Sequence, residues 1–569
     1  MQPTETDVPL DDAAPPGPPS DQPRLRWYQS IHPPVFWPAL IIVVSFVVLA
    51  IAGGDAVTEA IGTLQSGIVG GFGWYYTVIV TGFVVFALWC GFGHFGDIKL
   101  AKGDEEPEFA IGSWLAMLFA AGMGIGLVFW GVAEPLHHFA GIPNRASGVG
   151  AMDEQGMEDS LVITFLHWGL HPWAIYVVVG LAIAYAVHVK RRPISIRWTL
   201  EPLFGGRVKG WLGDLIDVAA IVGTLFGVAT SLGIGVAQIA GGLEFLEIIG
   251  TPSSLTLAIL IGAITLLAVV SVVTGVKKGM KWLSNLNMVM AIGLLVFVLI
   301  AGPTLFLLRE YIQATGVYLW ELIRLSFSTS ALAVTDGAGV EWQGWWTSFY
   351  WGWWISWAPF VGIFIARISR GRTIREFVLG VLFVPTVFSL LWFTVLGGTA
   401  MYREMFGEGG LVQTDAAGEN SVHESNTLFG MLEGLPGGTV VAGASIILIV
   451  LFFVTSSDSG SLVVDMLASG GDPDPPTWSR VLWGALEGAV ALALVFAGGL
   501  MALRGVAIAI ALPFSVVMVL MCFACLKQFR QERQQMVAAQ RALVRDRLTQ
   551  HVSRTLIDEG LVEERPQRK

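Results

Sequence analysis

The chain has 569 residues, of which 54% are hydrophobic and only 14% charged, against about 25% charged in an ordinary soluble protein. Uncharged apolar runs recur from end to end, and a bilayer crossing takes only ~20 such residues, which excludes a cytosolic enzyme and a secreted disulfide scaffold. The formal charge of −11 names no partner by itself, because its distribution carries the information, and no nucleic-acid partner is expected.

Residues 1–34 are polar and Pro-rich and read as a disordered cytoplasmic segment, with no cleavable signal pattern ahead of Val35. Apolar runs follow at 35–53, 70–95, 110–133, 160–188, 212–243, 255–275, 282–308, 344–366, 376–399, 438–464, 480–500 and 503–526, which predicts an all-α polytopic membrane protein of twelve helices. Basic residues follow the even runs: Lys99 and Lys102, then Lys190, Arg191, Arg192 and Arg197, then Lys277, Lys278 and Lys281, then Arg367, Arg370, Arg372 and Arg375. The loops after the third and ninth runs are acidic instead. This is the positive-inside pattern, and it puts both termini on the cytoplasmic side of the cell (inner or plasma) membrane.

Between the seventh and eighth runs, apolar and charged residues interleave over about 309–327, as in an amphipathic helix at the outer interface; an ordinary loop is the competing reading. The tail 527–569 holds ten Lys/Arg against six Asp/Glu. Its apolar residues Val537, Val544, Leu548, Val552 and Leu556 recur mostly four apart, so a basic amphipathic helix is expected, able to touch anionic membrane lipids.

Several motifs stand out. The third run contains Gly122-Met-Gly-Ile-Gly126 followed by Trp130, Gly131, Glu134 and Pro135. Glycines so spaced weaken a membrane helix and mark either an interrupted span with backbone open to a ligand or a close helix crossing. The eighth run carries seven tryptophans within the sixteen residues Trp342–Trp357, with no Lys or Arg among them. An interfacial belt accounts for Trp342, Trp345 and Trp346 but not for Trp353, Trp354 and Trp357, just ahead of Pro359. Indole faces free of competing cations suit a quaternary ammonium group, which has no N–H to donate.

These two interrupted runs lie five spans apart. That spacing fits two five-helix repeats of opposite orientation, about 110–308 and 344–526, within a transport domain spanning 35–526. The fourth run adds Trp168, Trp173 and Tyr176, and His167 and His171 stand at a metal-pair spacing but lack a third ligand. The tenth run ends Thr455-Ser456-Ser457-Asp458, hydroxyls able to meet a small hard cation or to bond back to their own helix. Cys522 and Cys525 form a C-x-x-C inside an apolar run, where two small helix residues are the simpler reading than redox chemistry. No Gly-x-Ser-x-Gly elbow surrounds the serines of the tenth run and no base is apparent, which disfavours a serine hydrolase; no enzyme, no catalytic residue and no cofactor are expected.

Four segments together resemble the betaine/choline/carnitine transporter family: GMGIGLVFWGVAEP at 122–135, HWGLHPWAIY at 167–176, WWISWAPFVGIFIARISRGRTIREF at 353–377 and FFVTSSDSGS at 452–461. The resemblance implies a LeuT-like five-plus-five inverted repeat preceded by two extra helices, a trimethylammonium substrate, Na+ as coupling ion and a homotrimer. Carried over by position, the substrate box is Trp168, Trp173, Tyr176, Trp353, Trp354 and Trp357, with the backbone at Ala121 and Met123 toward a carboxylate. The main Na+ site takes the carbonyls of Ala120, Met123 and Phe452 and the hydroxyls of Thr455 and Ser456. A second Na+ site matches at Thr224 and Phe360, but its partner position is Val228, leaving Ser231 or a carbonyl as substitute.

Gly126, where choline-type members carry Asp, favours a zwitterion of glycine betaine type. No Lys or Arg falls between Lys209 and Lys277, whereas Na+-independent carnitine exchangers place a basic side chain near the main ion site; this favours Na+ symport in osmoprotection. Uptake of choline, carnitine or a sulfonium osmolyte, H+ coupling, and an osmosensing receptor are the alternatives.

Overall fold

The computed structural model describes residues 30–103, 105–122, 124–141, 152–274, 277–331, 338–416 and 418–558. Helices dominate; the strands among the described residues are one short antiparallel hairpin, Val412–Thr414 with Asn420–Val422, in the loop after the ninth run. Eleven helices among the described residues are long and apolar enough to cross a bilayer, so the protein is an all-α polytopic membrane protein. The third of the twelve runs falls outside that count because it is divided into Ile111–Gly122 and Ile125–Ala140, of 12 and 16 residues. Neither alone reaches the ~20 residues of a full span.

Two further interruptions shape the interior. The fourth run breaks at Gly169, between Glu154–Trp168 and Leu170–Ala184. A Cβ at Gly169 would stand 2.5 Å from the Phe165 carbonyl oxygen and 2.9 Å from the Tyr318 hydroxyl, so the turn needs a residue without one. The eighth run breaks at Trp346 (φ −121°, ψ −88°), between Ala338–Trp345 and Thr347–Ile368. Pro359, just beyond the deep tryptophans, lies inside a continuous helix. Proline removes a single backbone donor, a loss that neighbouring helices make good in a membrane protein.

Thr347–Ile368 belongs to the most enclosed of the candidate spans and is wedged among Leu170–Ala184, Trp211–Phe245 and Leu500–Asp558. Small residues permit this. A Cβ on Gly352 would meet the Ile508 backbone at 2.8 Å, and one on Gly362 would meet Val179 at 2.6 Å, the close approach that packs membrane helices in the absence of a hydrophobic driving force between them. The next helix, Ile374–Phe406, starts with a capping box in which Thr373 and Glu376 satisfy each other's backbone N–H groups.

The last helix, Leu500–Asp558, runs 59 residues without a break, about 90 Å at 1.5 Å per residue, so its second half extends well past a ~30 Å hydrocarbon core. Its middle is anchored by Phe529 against Tyr185 and Phe95, by the Tyr185 hydroxyl donating to Glu532 at 2.8 Å, and by Lys527 Nζ donating to the Pro202 carbonyl at 2.7 Å. Beyond that the expected helix forms, and Val544, Leu548 and Val552 on it are exposed.

The amphipathic segment before the eighth run is the helix Thr304–Ser326, starting earlier than the sequence pattern indicates. It exposes Ile312, Leu319, Trp320 and Ile323 and buries Leu307, Glu310, Ala314 and Tyr318 against Glu154–Trp168 and Ile374–Phe406. Burial, and then the charge of Glu158, push the Glu310 carboxyl up to about 7. An acid whose folded-state value is raised binds its proton more tightly when folded. Its contribution is therefore full below the ordinary carboxylate value and is lost as pH rises through about 7. Glu310→Gln should accordingly raise the thermal midpoint of the detergent-purified protein at pH above 7 and leave it unchanged in mild acid; an equal shift at both would contradict this.

Candidate functional site

The first half of the site is built by the interrupted third run. Gly124 caps Ile125–Ala140 in extended conformation (φ −160°) and lines a cavity together with Gly126 and Leu127. Ala120 and Ala121 belong to the preceding helix, Ile111–Gly122, while Met123 lies outside the described residues. The rest of the wall is Trp168, Pro172, Trp173 and Tyr176 from the fourth run, Ser231 from Trp211–Phe245, Trp353, Trp354 and Trp357 from Thr347–Ile368, and Ser389 from Ile374–Phe406. All six aromatic residues named from the sequence thus meet around one space. Its cavity volume is only about 40 Å³, well below the ~300–1,000 Å³ of an open small-molecule site, so the rings close in on one another in this state, and among the described residues no charged side chain lines it. A larger groove beside Val537, Val544, Leu548 and Val552 is open surface on a single exposed helix.

The rings are ordered. Trp353 and Trp354 stack with centroids 4.7 Å apart, and Trp168 stands edge-on to Trp354 at 4.8 Å and to Trp353 at 6.2 Å. Tyr176 is edge-on to Trp173 at 5.5 Å and to Trp354 at 6.5 Å. Their polar edges are tied back into the protein. Trp354 Nε1 donates to the His167 carbonyl at 3.0 Å, Trp353 Nε1 to Ser231 Oγ at 3.2 Å, and Trp168 Nε1 to Glu134 Oε2 at 2.6 Å. Gly126 is pressed against the box: a Cβ there would overlap the Trp353 ring and come within 3.3 Å of Trp168.

Glu134 is the residue whose role the sequence does not disclose. It is fully buried. Oε2 accepts from Trp168 and from the Tyr350 hydroxyl at 2.5 Å, and Oε1 lies 2.7 Å from His167 Nδ1 and 3.4 Å from His138 Nε2. His167 Nε2 in turn meets Thr347 Oγ1 at 3.0 Å. The third partner missing from the His167–His171 pair is therefore present, but for His167 with His138 and Glu134; His171 bonds Ser326 at 3.0 Å instead. The available signal was the acid itself, since an ionisable residue inside an apolar run is a functional marker. Arg504 is a second residue that the sequence leaves unread. Its buried guanidinium lies 4.1 Å from the Trp345 ring centroid and 5.3–5.7 Å from those of Trp130, Phe349 and Trp346.

The residues assigned to the main Na+ site are placed as follows. Phe452 is buried and Thr455 and Ser456 half-buried on the unbroken helix Gly438–Ala468. Thr455 Oγ1 donates to the Leu451 or Phe452 carbonyl at 3.0 or 3.2 Å and accepts from Asn287 Nδ2 at 3.0 Å. Of the second set, the Thr224 hydroxyl is buried without a hydrogen-bond partner among the described residues, and Phe360 is half-buried, edge-on to Trp357 at 5.5 Å.

An aromatic chamber at the meeting of interrupted membrane helices is the arrangement of a small-molecule carrier. Residues 34–534 match the model of BCCT, the betaine/carnitine/choline family transporter. The chain is similar to a glycine betaine transporter of Bacillus subtilis, with 42% identity over 509 residues, 89% of this chain and 96% of that one. It is also similar to a glycine betaine/proline/choline transporter of Vibrio parahaemolyticus (40% over 519 residues, 88% and 91%) and to an uncharacterized transporter of Mycobacterium tuberculosis (52% over 505 residues, 88% and 83%). The chain belongs to the betaine/carnitine/choline transporter family.

The Glu134 network yields a direct test. Glu134→Gln puts an amide N–H₂ against donors that a carboxylate accepts, which should cost about 3 kcal/mol and lower the thermal midpoint. A variant as stable as the parent, with unchanged tryptophan fluorescence, would show that the carboxylate does not hold Trp168 and Tyr350.

Proposed function

We propose that the protein is a Na+ symporter for glycine betaine or a closely similar trimethylammonium zwitterion, serving osmoprotection. The observation that carries the substrate class is the box: six aromatic side chains around one cavity, with no charged side chain in its wall among the described residues. A trimethylammonium group gives up little hydration and donates no hydrogen bond, so ring faces at ~0.5–2 kcal/mol each are its natural partners. The crowding at Gly126 supports a zwitterion over choline, because an Asp side chain there would collide with Trp353 and Trp168. The backbone of the Gly122–Gly126 interruption, including Ala121 and Met123, is the expected partner of the carboxylate.

For the ion, the donor set fits a hard cation: the Thr455 and Ser456 hydroxyls and the Phe452 carbonyl, with the carbonyls of Ala120 and Met123 from the interrupted run. In the present state the Thr455 hydroxyl bonds back to its own helix, so ion binding would redirect it. Substrate and Na+ together would favour one arrangement of the helices over another, and the membrane potential adds ~2.3 kcal/mol per charge per 100 mV. The basic tail helix is suited to anionic lipid, and a homotrimer is the assembly that the family resemblance implies.

The test is uptake into proteoliposomes. An inward Na+ gradient should drive accumulation of glycine betaine, and choline, carnitine and a sulfonium analogue should compete less well. Replacing both Thr455 and Ser456 by Ala should raise the Na+ concentration needed for half-maximal uptake; an unaltered Na+ dependence counts against the ion site. Trp354→Ala should weaken betaine binding about threefold to thirtyfold, read by tryptophan-fluorescence titration, and an unchanged titration counts against the box.

A further inference from the structure

The helix Thr477–Phe496 carries an acid in its middle, Glu487, away from the aromatic box. It is fully buried. Oε2 accepts the Ser457 hydroxyl at 2.9 Å, whereas Oε1 is buried without a hydrogen-bond partner among the described residues. The charged group that faces it is Asp458, on Gly438–Ala468, and Asp458 pairs with Arg480 at 3.1 Å. No described cation is left for Glu487.

The other helices packed against Thr477–Phe496 do not change this. Pro33–Gly53 and Ser254–Thr274 contain no titratable residue. On Trp211–Phe245, Asp214 and Asp217 are held by Arg197, and Glu244 lies near the opposite end. Asp465 is two turns beyond Asp458, and Arg504 of the last helix sits among the rings of Trp130 and Trp345.

The unpartnered oxygen faces a meaningful place. A Cβ on Gly460 would lie 3.0 Å from Val228 Cγ2 and 3.2 Å from Glu487 Oε1, so the carboxylate oxygen and Val228 look onto the same point. Val228 is the position at which the expected second hydroxyl is missing, one turn from the buried and unpartnered Thr224 hydroxyl. A buried carboxylate, a serine hydroxyl on it and a free threonine hydroxyl on the facing helix are hard oxygen donors with one negative charge to neutralise.

We propose that Glu487 is a monovalent-cation site, in which the carboxylate, with the Ser457 hydroxyl, takes up one Na+ or one proton in each transport cycle. Either cation answers the same chemistry, a single positive charge on Oε1. The site does not depend on the ligand set at Thr455 and Ser456, nor on betaine being the cargo.

The full-length protein and its Glu487→Gln and Ser457→Ala variants decide it. Equilibrium binding of radiolabelled Na+ to the purified protein, without substrate and at two pH values, is read beside proteoliposome uptake of glycine betaine with a pH dye trapped in the lumen. If Na+ is the occupant, Glu487→Gln removes one bound Na+ per protein and lowers the Na+ to betaine ratio by one, with no luminal pH change in either protein. If the proton is the occupant, uptake by the parent acidifies the lumen and Glu487→Gln abolishes that acidification. Ser457→Ala keeps the carboxylate and should raise the half-saturating concentration of the same cation about threefold or more, which serves as the test should Glu487→Gln fail to fold. Loss of betaine uptake with Na+ binding intact in the parent would sink the substrate reading and leave this one standing. Unchanged Na+ binding, cation ratio and luminal pH in Glu487→Gln overturn the proposal, as does an unchanged Ser457→Ala where that variant alone folds, and leave Glu487 a permanently protonated packing residue.

Discussion

One fully buried carboxylate holds the chamber together. Glu134 gathers Trp168, Tyr350, His167 and His138 from two other runs and its own helix; Tyr350 in turn stacks on Trp354, Trp168 stands edge-on to Trp354, and Trp353 stacks on Trp354 as well. Water is not available inside a bilayer to satisfy stray polar atoms. Trp168, Trp353 and Trp354 each give their indole N–H to a fixed acceptor, which leaves their ring faces free to meet the cavity. The aromatic box is in this sense a consequence of hydrogen bonding behind the rings as much as of the rings themselves.

That division of labour explains what the sequence revealed and what it withheld. The spans were legible from apolar run length, and the box residues from an excess of tryptophan too deep for an interfacial belt; all six meet around one cavity. The interruption of the third run was legible because glycines at alternate positions disfavour a helix. The interruption at Gly169 was not, since a single glycine between His167-Trp168 and His171-Pro172 looks like ordinary sequence until Tyr318 is packed against it. The eighth-run break falls at Trp346 and not at Pro359, because proline's local penalty is easily absorbed in a membrane interior, whereas the backbone angles of a tryptophan carry no local sequence signal. Glu134, Arg504 and Glu487 were passed over for a common reason: one charge inside an apolar run carries no sign of its partner, and the partner is what gives it meaning.

Glu134, Arg504 and Glu487 are treated differently by the fold. Glu134 is saturated with donors, Arg504 is enclosed by ring faces, and Glu487 retains a bare oxygen beside Val228. Saturated or enclosed charges suit a framework that keeps its shape, whereas a bare one suits a group whose charge is neutralised and released as helices move. Glycines let the helices approach closely where these groups sit, with Gly352 against Ile508, Gly362 against Val179 and Gly460 against Val228.

The central claim is that the chamber recognises positive charge spread over methyl groups through ring faces, and does so without any carboxylate of its own. Equilibrium binding of glycine betaine to the purified protein, set against its carbon isostere in which a tert-butyl group replaces trimethylammonium, isolates that claim, because shape and carboxylate are retained and only the cationic charge is removed. The account predicts that the isostere binds at least about tenfold more weakly, a difference of ~1.4 kcal/mol that falls within the range of a single desolvated cation–π contact. Equal affinity of the two would contradict it.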